Sequence, residues 1–184
     1  MSAKSNCFSD TIYIEGYALI WGELSSEITS SDGEKFRERF SKGSLVESIT
    51  KRNQELWYNH KKFTFHAGVD EGSLQFEEDD VGLWMEAKLV YTDRTKEAFM
   101  ELATWDSKAV SIGFLAKDCT YQREKSETIR NVKKAELVEV SLVNKGAYPS
   151  AFVTVKGYME ERGYNRREWE QKRAKRRLLQ LIDS

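Results

Sequence analysis

KAVSIGFLAKD, residues 108–118, alternates as a β-strand with one buried face. Val110, Ile112, Phe114 and Ala116 fall on a uniformly apolar side, and Ala109, Ser111, Gly113 and Leu115 on the other. The second side is small around the serine, because Ala109 and Gly113 flank Ser111. A glycine inside a strand lets a second backbone or a ligand approach closely. AELVEVSLV, residues 135–143, has the same period of two. Leu137, Glu139, Ser141 and Val143 share one face, and Glu136, Val138, Val140 and Leu142 share the other.

Strand patterns recur on both sides of this pair. Residues 11–22, TIYIEGYALIWG, are rich in Ile, Tyr and Trp and read as a strand. Residues 55–58 form an aromatic strand that ends at His60. Residues 73–76 and 83–91 flank the acidic run EEDDVG, residues 77–82, as the arms of a hairpin. Residues 129–132 give another strand, separated from 135–143 by Lys133 and Lys134, and 152–155 give the last. Residues 25–33 carry an Asp-Gly pair and read as a loop, and 34–40 are mixed. Short helices are expected over 44–51 and over 95–103, the latter from the spacing of Ala98, Phe99 and Leu102. From Gly157 the strand pattern stops, and Leu178, Leu181 and Ile182 share one helical face. The organisation expected is an N-terminal tail over 1–10, one domain over 11–156, and a basic helical tail over 157–184. The fold class is mainly β with flanking helices, α+β, and a C-terminal helix.

Composition narrows the function. With 184 residues, 12% of them aromatic, the chain can build one packed domain. A net charge of −1 argues against a protein built to coat nucleic acid. The basic residues are concentrated after residue 155, where nine face five acids, and the remainder is correspondingly acidic. Little aromatic interleaving apart from Trp169 accompanies this run, so nucleic acid is not an expected partner. Cys7 and Cys119 are too far apart and too few for a disulfide framework or a zinc site, which fits free thiols in a reducing compartment. No apolar run approaches a membrane span, and residues 1–10 lack the apolar centre of a signal peptide, so action in the cytosol is expected.

Three residues can carry chemistry. Ser111 has the open surroundings that a nucleophile needs, but serine is a poor nucleophile without a neighbouring base. The chain has two histidines, His60 and His66. His60 stands where a strand opens into a loop, a position suited to catalysis. His66, between apolar residues in FTFHAG, suits a structural role. A carboxylate among the aliphatic residues of 135–143 is costly to desolvate without a partner. That partner could be a basic side chain or the second ring nitrogen of a catalytic histidine. Periodicity does not choose between Glu136 and Glu139. The histidine spacing fits no common zinc motif, and the run over 77–80 suits a solvated turn better than a calcium loop.

Four segments together resemble the prohead, or procapsid, maturation proteases of tailed bacteriophages. They are GYALIWGELSS at 16–26, WYNH at 57–60, VSIGF at 110–114, and LVEVSLVNKGAYPSA at 137–151. LQFEEDDVGLWMEAKL, at 74–89, is similar to the family as well. The resemblance covers about residues 11–155. It implies a compact antiparallel β-barrel of the herpesvirus-assemblin type. It implies a serine endopeptidase with Ser111 as nucleophile, His60 as base and Glu139 as the orienting acid. Asn144, Lys145, Gly146, Ala147 and Tyr148 are the loop expected to supply oxyanion donors.

The resemblance implies no metal or cofactor. Its substrates would be the major capsid protein or a scaffold protein, and the protease itself, cut inside the assembling procapsid in the host bacterial cytoplasm. A homo-oligomer is compatible with it. The chain departs from the family at Lys61 and Lys62, where an acid often follows the histidine, and at Gly146, where proline is common. The alternative reading is a catalytically inactive capsid-assembly or scaffold-binding β-barrel.

Overall fold

The computed structural model describes residues 11–51, 53–62, 67–68, 72–90, 92–93, 95–97 and 107–155. Strands dominate them. They are β1 (Thr11–Ile20), β2 (Ile28–Thr29), β3 (Lys35–Phe40), β4 (Glu55–Tyr58), β5 (Ala67–Gly68), β6 (Leu74–Glu78), β7 (Gly82–Val90), β8 (Ser107–Glu124), β9 (Glu127–Val143) and β10 (Phe152–Val155), with one short helix, α1 (Val46–Ile49). The mixed stretch 34–40 is a strand, and the two strands expected over 129–143 are one, continuous through Lys133 and Lys134. The expected tail over 1–10, His66 and the C-terminal helix over 157–184 lie outside the described residues, as does most of the helix expected over 95–103.

The sheet runs β2-β3-β9-β8-β10-β1-β7-β6, with β4 also on β9 and β5 on β4. Most neighbours are antiparallel, as expected. Two are not: β3 pairs parallel with β9 along 129–132, and β4 parallel along 139–142. Both lie end to end on one edge of β9, and α1 fills the gap between them. There the Ser44 carbonyl accepts from Ala135 N–H at 2.9 Å, and Ser48 Oγ accepts from Leu137 N–H at 2.7 Å. These groups stand in for a strand, because a buried backbone donor must find a partner.

The barrel expected from the resemblance is not closed by backbone pairing. β5 is tied to the residue before β6 through a side chain, Gly68 N–H donating to Ser73 Oγ at 3.1 Å. Among the described residues no ladder joins the two, so the sheet is curled and open. A two-residue strand offers too few backbone groups to complete the circuit.

The core lies within the curl, where Leu19, Phe40, Leu56, Met85, Val110, Val140 and Leu142 are buried. Val110 and Ile112 take the core side of β8 as expected. Phe114 is only partly buried, its ring edge-on to Phe40 at 4.8 Å, and Ala116 is exposed, where the β8–β9 register shifts at Gly113/Phe114 and again at Ala116/Asp118. The acidic run between β6 and β7 is a side-chain-locked turn. Asp79 Oδ1 accepts from the N–H groups of Val81 at 2.7 Å and Gly82 at 3.0 Å, and Tyr17 donates its hydroxyl to Oδ2 at 2.6 Å.

Candidate active site

Three adjacent strands, β4, β9 and β8, bring the expected residues to one face. In the β8–β9 ladder Ser111 lies opposite Ser141, and Gly113 opposite Glu139. The next pair is Phe114 with Leu137, so Val138 is an extra residue in β9, a β-bulge. The bulge turns Val138 out to solvent at 41% exposure and lets Leu137 face the core while Glu139 takes the face of Ser111. Strict alternation would group Leu137 with Glu139. That grouping is wrong, because the bulge inserts a phase change between them.

The two candidate carboxylates are separated along the strand, Glu136 lying opposite Leu115 and Glu139 opposite Gly113. Glu136 sits at the surface, 3.0 Å from Lys117 Nζ and 3.4 Å from Lys51 Nζ. The hydrogen bond and charge of Lys117, with those of Lys51, hold its carboxyl below the usual carboxylate range. Glu139 is 3% exposed, and its Oε1 lies 2.7 Å from His60 Nδ1. A carboxylate only accepts, so a neutral imidazole bonded to it in this way places its proton on Nδ1 and leaves the Nε2 lone pair for a second partner.

His60 follows β4 in a tight turn. Asn59 and His60 both have positive φ, 50° and 58°, and Lys61 N–H closes the turn on the Tyr58 carbonyl at 2.9 Å. Consecutive left-handed residues are costly outside glycine, although Asn and His tolerate the region better than most. Asn59 N–H donates to the Leu142 carbonyl at 2.9 Å, which ties the turn to β9. The imidazole itself is half-exposed.

Ser111 is partly buried, and no hydrogen bond joins its hydroxyl to His60 among the described residues. Gly113 has a different use from the one its neighbourhood to Ser111 suggests. A Cβ at this position would stand 2.5 Å from Glu139 Oε1 and 2.9 Å from its Cγ. The space that the missing side chain leaves is filled by the carboxylate. Gly113→Ala is therefore expected to push Glu139 off His60. Proteolysis should fall about 100-fold, the usual result of displacing a reacting group by about 1 Å, with a stability loss of about 1–3 kcal/mol from overpacking. Cleavage rates and thermal melts of the variant check both.

The loop 144–148 leads from β9 toward β10 and lies against β8. A Cβ at Gly146 would overlap the Val110 carbonyl oxygen, next to Ser111. Asn144 Oδ1 accepts from the buried Lys108 at 2.6 Å, and Ser26 N–H donates to the Ala147 carbonyl at 2.7 Å. Tyr148 is buried and donates its hydroxyl to Glu38 Oε1 at 2.9 Å. Burial, with the Glu38 carboxylate alongside, pushes the Tyr148 hydroxyl far above its ordinary pKa. Glu38 also accepts from Arg130 Nε at 2.9 Å, so a buried acid and phenol and a partly buried guanidinium lock one end of the loop to β3 and β9. Sequence reading missed this lock and missed Lys108. Charged residues inside strand patterns were the available signal.

A histidine bonded to a buried acid, on a strand paired with one that carries a serine in small surroundings, is the kind of arrangement that serine hydrolases use. The chain belongs to the caudovirus prohead serine protease family, whose sequence profile matches residues 1–164. That membership makes it a serine protease of capsid maturation, and prohead proteases act inside the procapsid within the host. No curated protein and no solved structure matches the chain significantly. No helix among the described residues is long and apolar enough to cross a membrane.

Proposed function

We propose that the chain is an endopeptidase that cuts the capsid protein or its scaffold during procapsid maturation, with Ser111, His60 and Glu139 as its triad. The observation that carries this is the 2.7 Å bond between His60 Nδ1 and the buried Glu139, on the strand that pairs with Ser111. His60 Nε2 takes the Ser111 proton as Oγ attacks the peptide carbonyl. Glu139 holds the tautomer and stabilises the imidazolium. The imidazolium then protonates the leaving amine, and water attacks the acyl-enzyme with His60 again as base. The absent Ser111–His60 hydrogen bond is consistent with this, because such bonds are often long without substrate and tighten in the Michaelis complex.

Backbone N–H groups of Asn144, Lys145, Gly146, Ala147 and Tyr148 are the oxyanion donors of this reading. Their support is the contact of Gly146 with the Val110 carbonyl, one residue from the nucleophile, and the locked end of the loop. A donor fixed in advance costs no reorganisation when the charge develops. The protease itself is a second substrate, and its basic segment after residue 155 is the region where self-cleavage or docking on an acidic scaffold is expected.

A fluorophosphonate probe tests the nucleophile directly. The full-length chain should be labelled at Ser111, as read by peptide mass spectrometry, and His60→Ala should lose the label. A folded, unlabelled wild type would favour the inactive assembly-protein reading.

A further inference from the structure

Ser141 is fully buried near the C-terminal end of β9, opposite Ser111 on one side and Trp57 on the other. Nothing in strand formation asks for serine there. A β-branched apolar residue suits a buried strand position better, and a buried hydroxyl is unfavourable unless bonded. This one is bonded twice. It donates to Glu139 Oε2 at 2.7 Å and accepts from His60 N–H at 3.2 Å.

A serine hydroxyl has a single proton to give. By directing it to Oε2, Ser141 fixes the carboxylate plane and leaves Oε1 for His60 Nδ1. By accepting from the His60 backbone, it also holds the left-handed turn in which Asn59 and His60 lie at φ of 50° and 58°. One side chain thus orients the acid and the base against each other. Glu139 and Ser141, two residues apart, share the face of Ser111 by plain alternation.

We infer that Ser141 is a positioning residue of the proteolytic site, setting the carboxylate of Glu139 and the backbone of His60 through one hydroxyl. The inference rests on the Ser111–His60–Glu139 reading. A purely structural role would predict that Ser141→Ala loses stability while its folded fraction reacts normally. A positioning role predicts slow chemistry at normal binding.

The test uses the full chain and a fluorophosphonate probe, with labelling at Ser111 resolved into a maximal rate and a half-saturating concentration. Ser141→Ala should lower the maximal rate about 10- to 100-fold, the scale for losing an orienting partner, with half-saturation within about two-fold. Ser141→Thr, which keeps the hydroxyl, should recover most of the rate. The downfield Nδ1 proton resonance of His60 should weaken or vanish in Ser141→Ala and return in Ser141→Thr. A folded Ser141→Ala that labels at the wild-type rate and keeps the resonance would overturn the inference and leave the triad standing. Should the alanine variant fail to fold, the near-isosteric Ser141→Cys, with its weak donor, replaces it. Wild-type labelling there would overturn the inference equally. A wild type unlabelled at Ser111 would remove the triad reading, and the role of Ser141 with it.

Discussion

Ser111→Ala is expected to abolish proteolysis while leaving the fold intact. The side chain lies on the small face of β8, partly buried, with no hydrogen bond to lose among the described residues, so removing Oγ creates neither a cavity of consequence nor an orphaned donor. Removing a nucleophile that acts together with its base costs about 10⁶-fold in kcat in comparable triads, or about 8 kcal/mol of transition-state stabilisation. Co-expression with the capsid protein of the same phage, as wild type and as Ser111→Ala, followed by intact-mass spectrometry, reads this outcome. Shortened capsid protein or a shortened protease in the wild type alone would establish Ser111-dependent cleavage and locate the bonds cut. Equal shortening in both would assign the cuts to another protease. Full-length masses in both, with procapsids assembled, would count against Ser111 as nucleophile.

Glu139→Gln carries the second-largest expected effect and separates charge from shape. The glutamine fills the same space beside Gly113 and keeps a hydrogen-bonding head. Ser141 donates its proton to the Oε2 position, which the amide oxygen must then occupy. The amide nitrogen is left facing His60 Nδ1 and donates to it. That reverses the imidazole tautomer and puts the proton on Nε2, where the lone pair is needed. A wrong tautomer of this kind costs about 10⁴-fold in kcat where the swap has been made in another triad, or about 5 kcal/mol. Glu136→Gln serves as the comparison, since it removes the Lys117 and Lys51 contacts at the surface and should leave cleavage unchanged. Equal rates for Glu139→Gln and wild type would refute Glu139 as the orienting acid, whereas a loss confined to Glu136→Gln would transfer the role to that residue.

Much of this architecture is written in local pattern. The alternation in 108–118 and 135–143 gives β8 and β9, the flanked acidic run gives the β6–β7 hairpin, and Ser111 and His60 stand out as a serine in small surroundings and a histidine at a strand end. Each is a statement about neighbours in the chain, which periodicity and turn chemistry control. The choice of Glu139 over Glu136 is different. It depends on β4, which pairs along 139–142 and delivers His60 beside Glu139, while the bulge at Val138, formed where Ser48 from α1, 89 residues away, takes the Leu137 N–H, decides which faces Leu137 and Glu136 take. The partners of the acid are equally remote: His60 is 79 residues from Glu139 along the chain. The open sheet, the parallel seating of β3 and β4, the locking of the 144–148 loop by Glu38 and the two hydrogen bonds of Ser141 to Glu139 and His60 are likewise tertiary facts. A strand pattern says which side chains share a face, but a single inserted residue reverses that answer. Only the contacts made by the folded chain determine where the insertion falls.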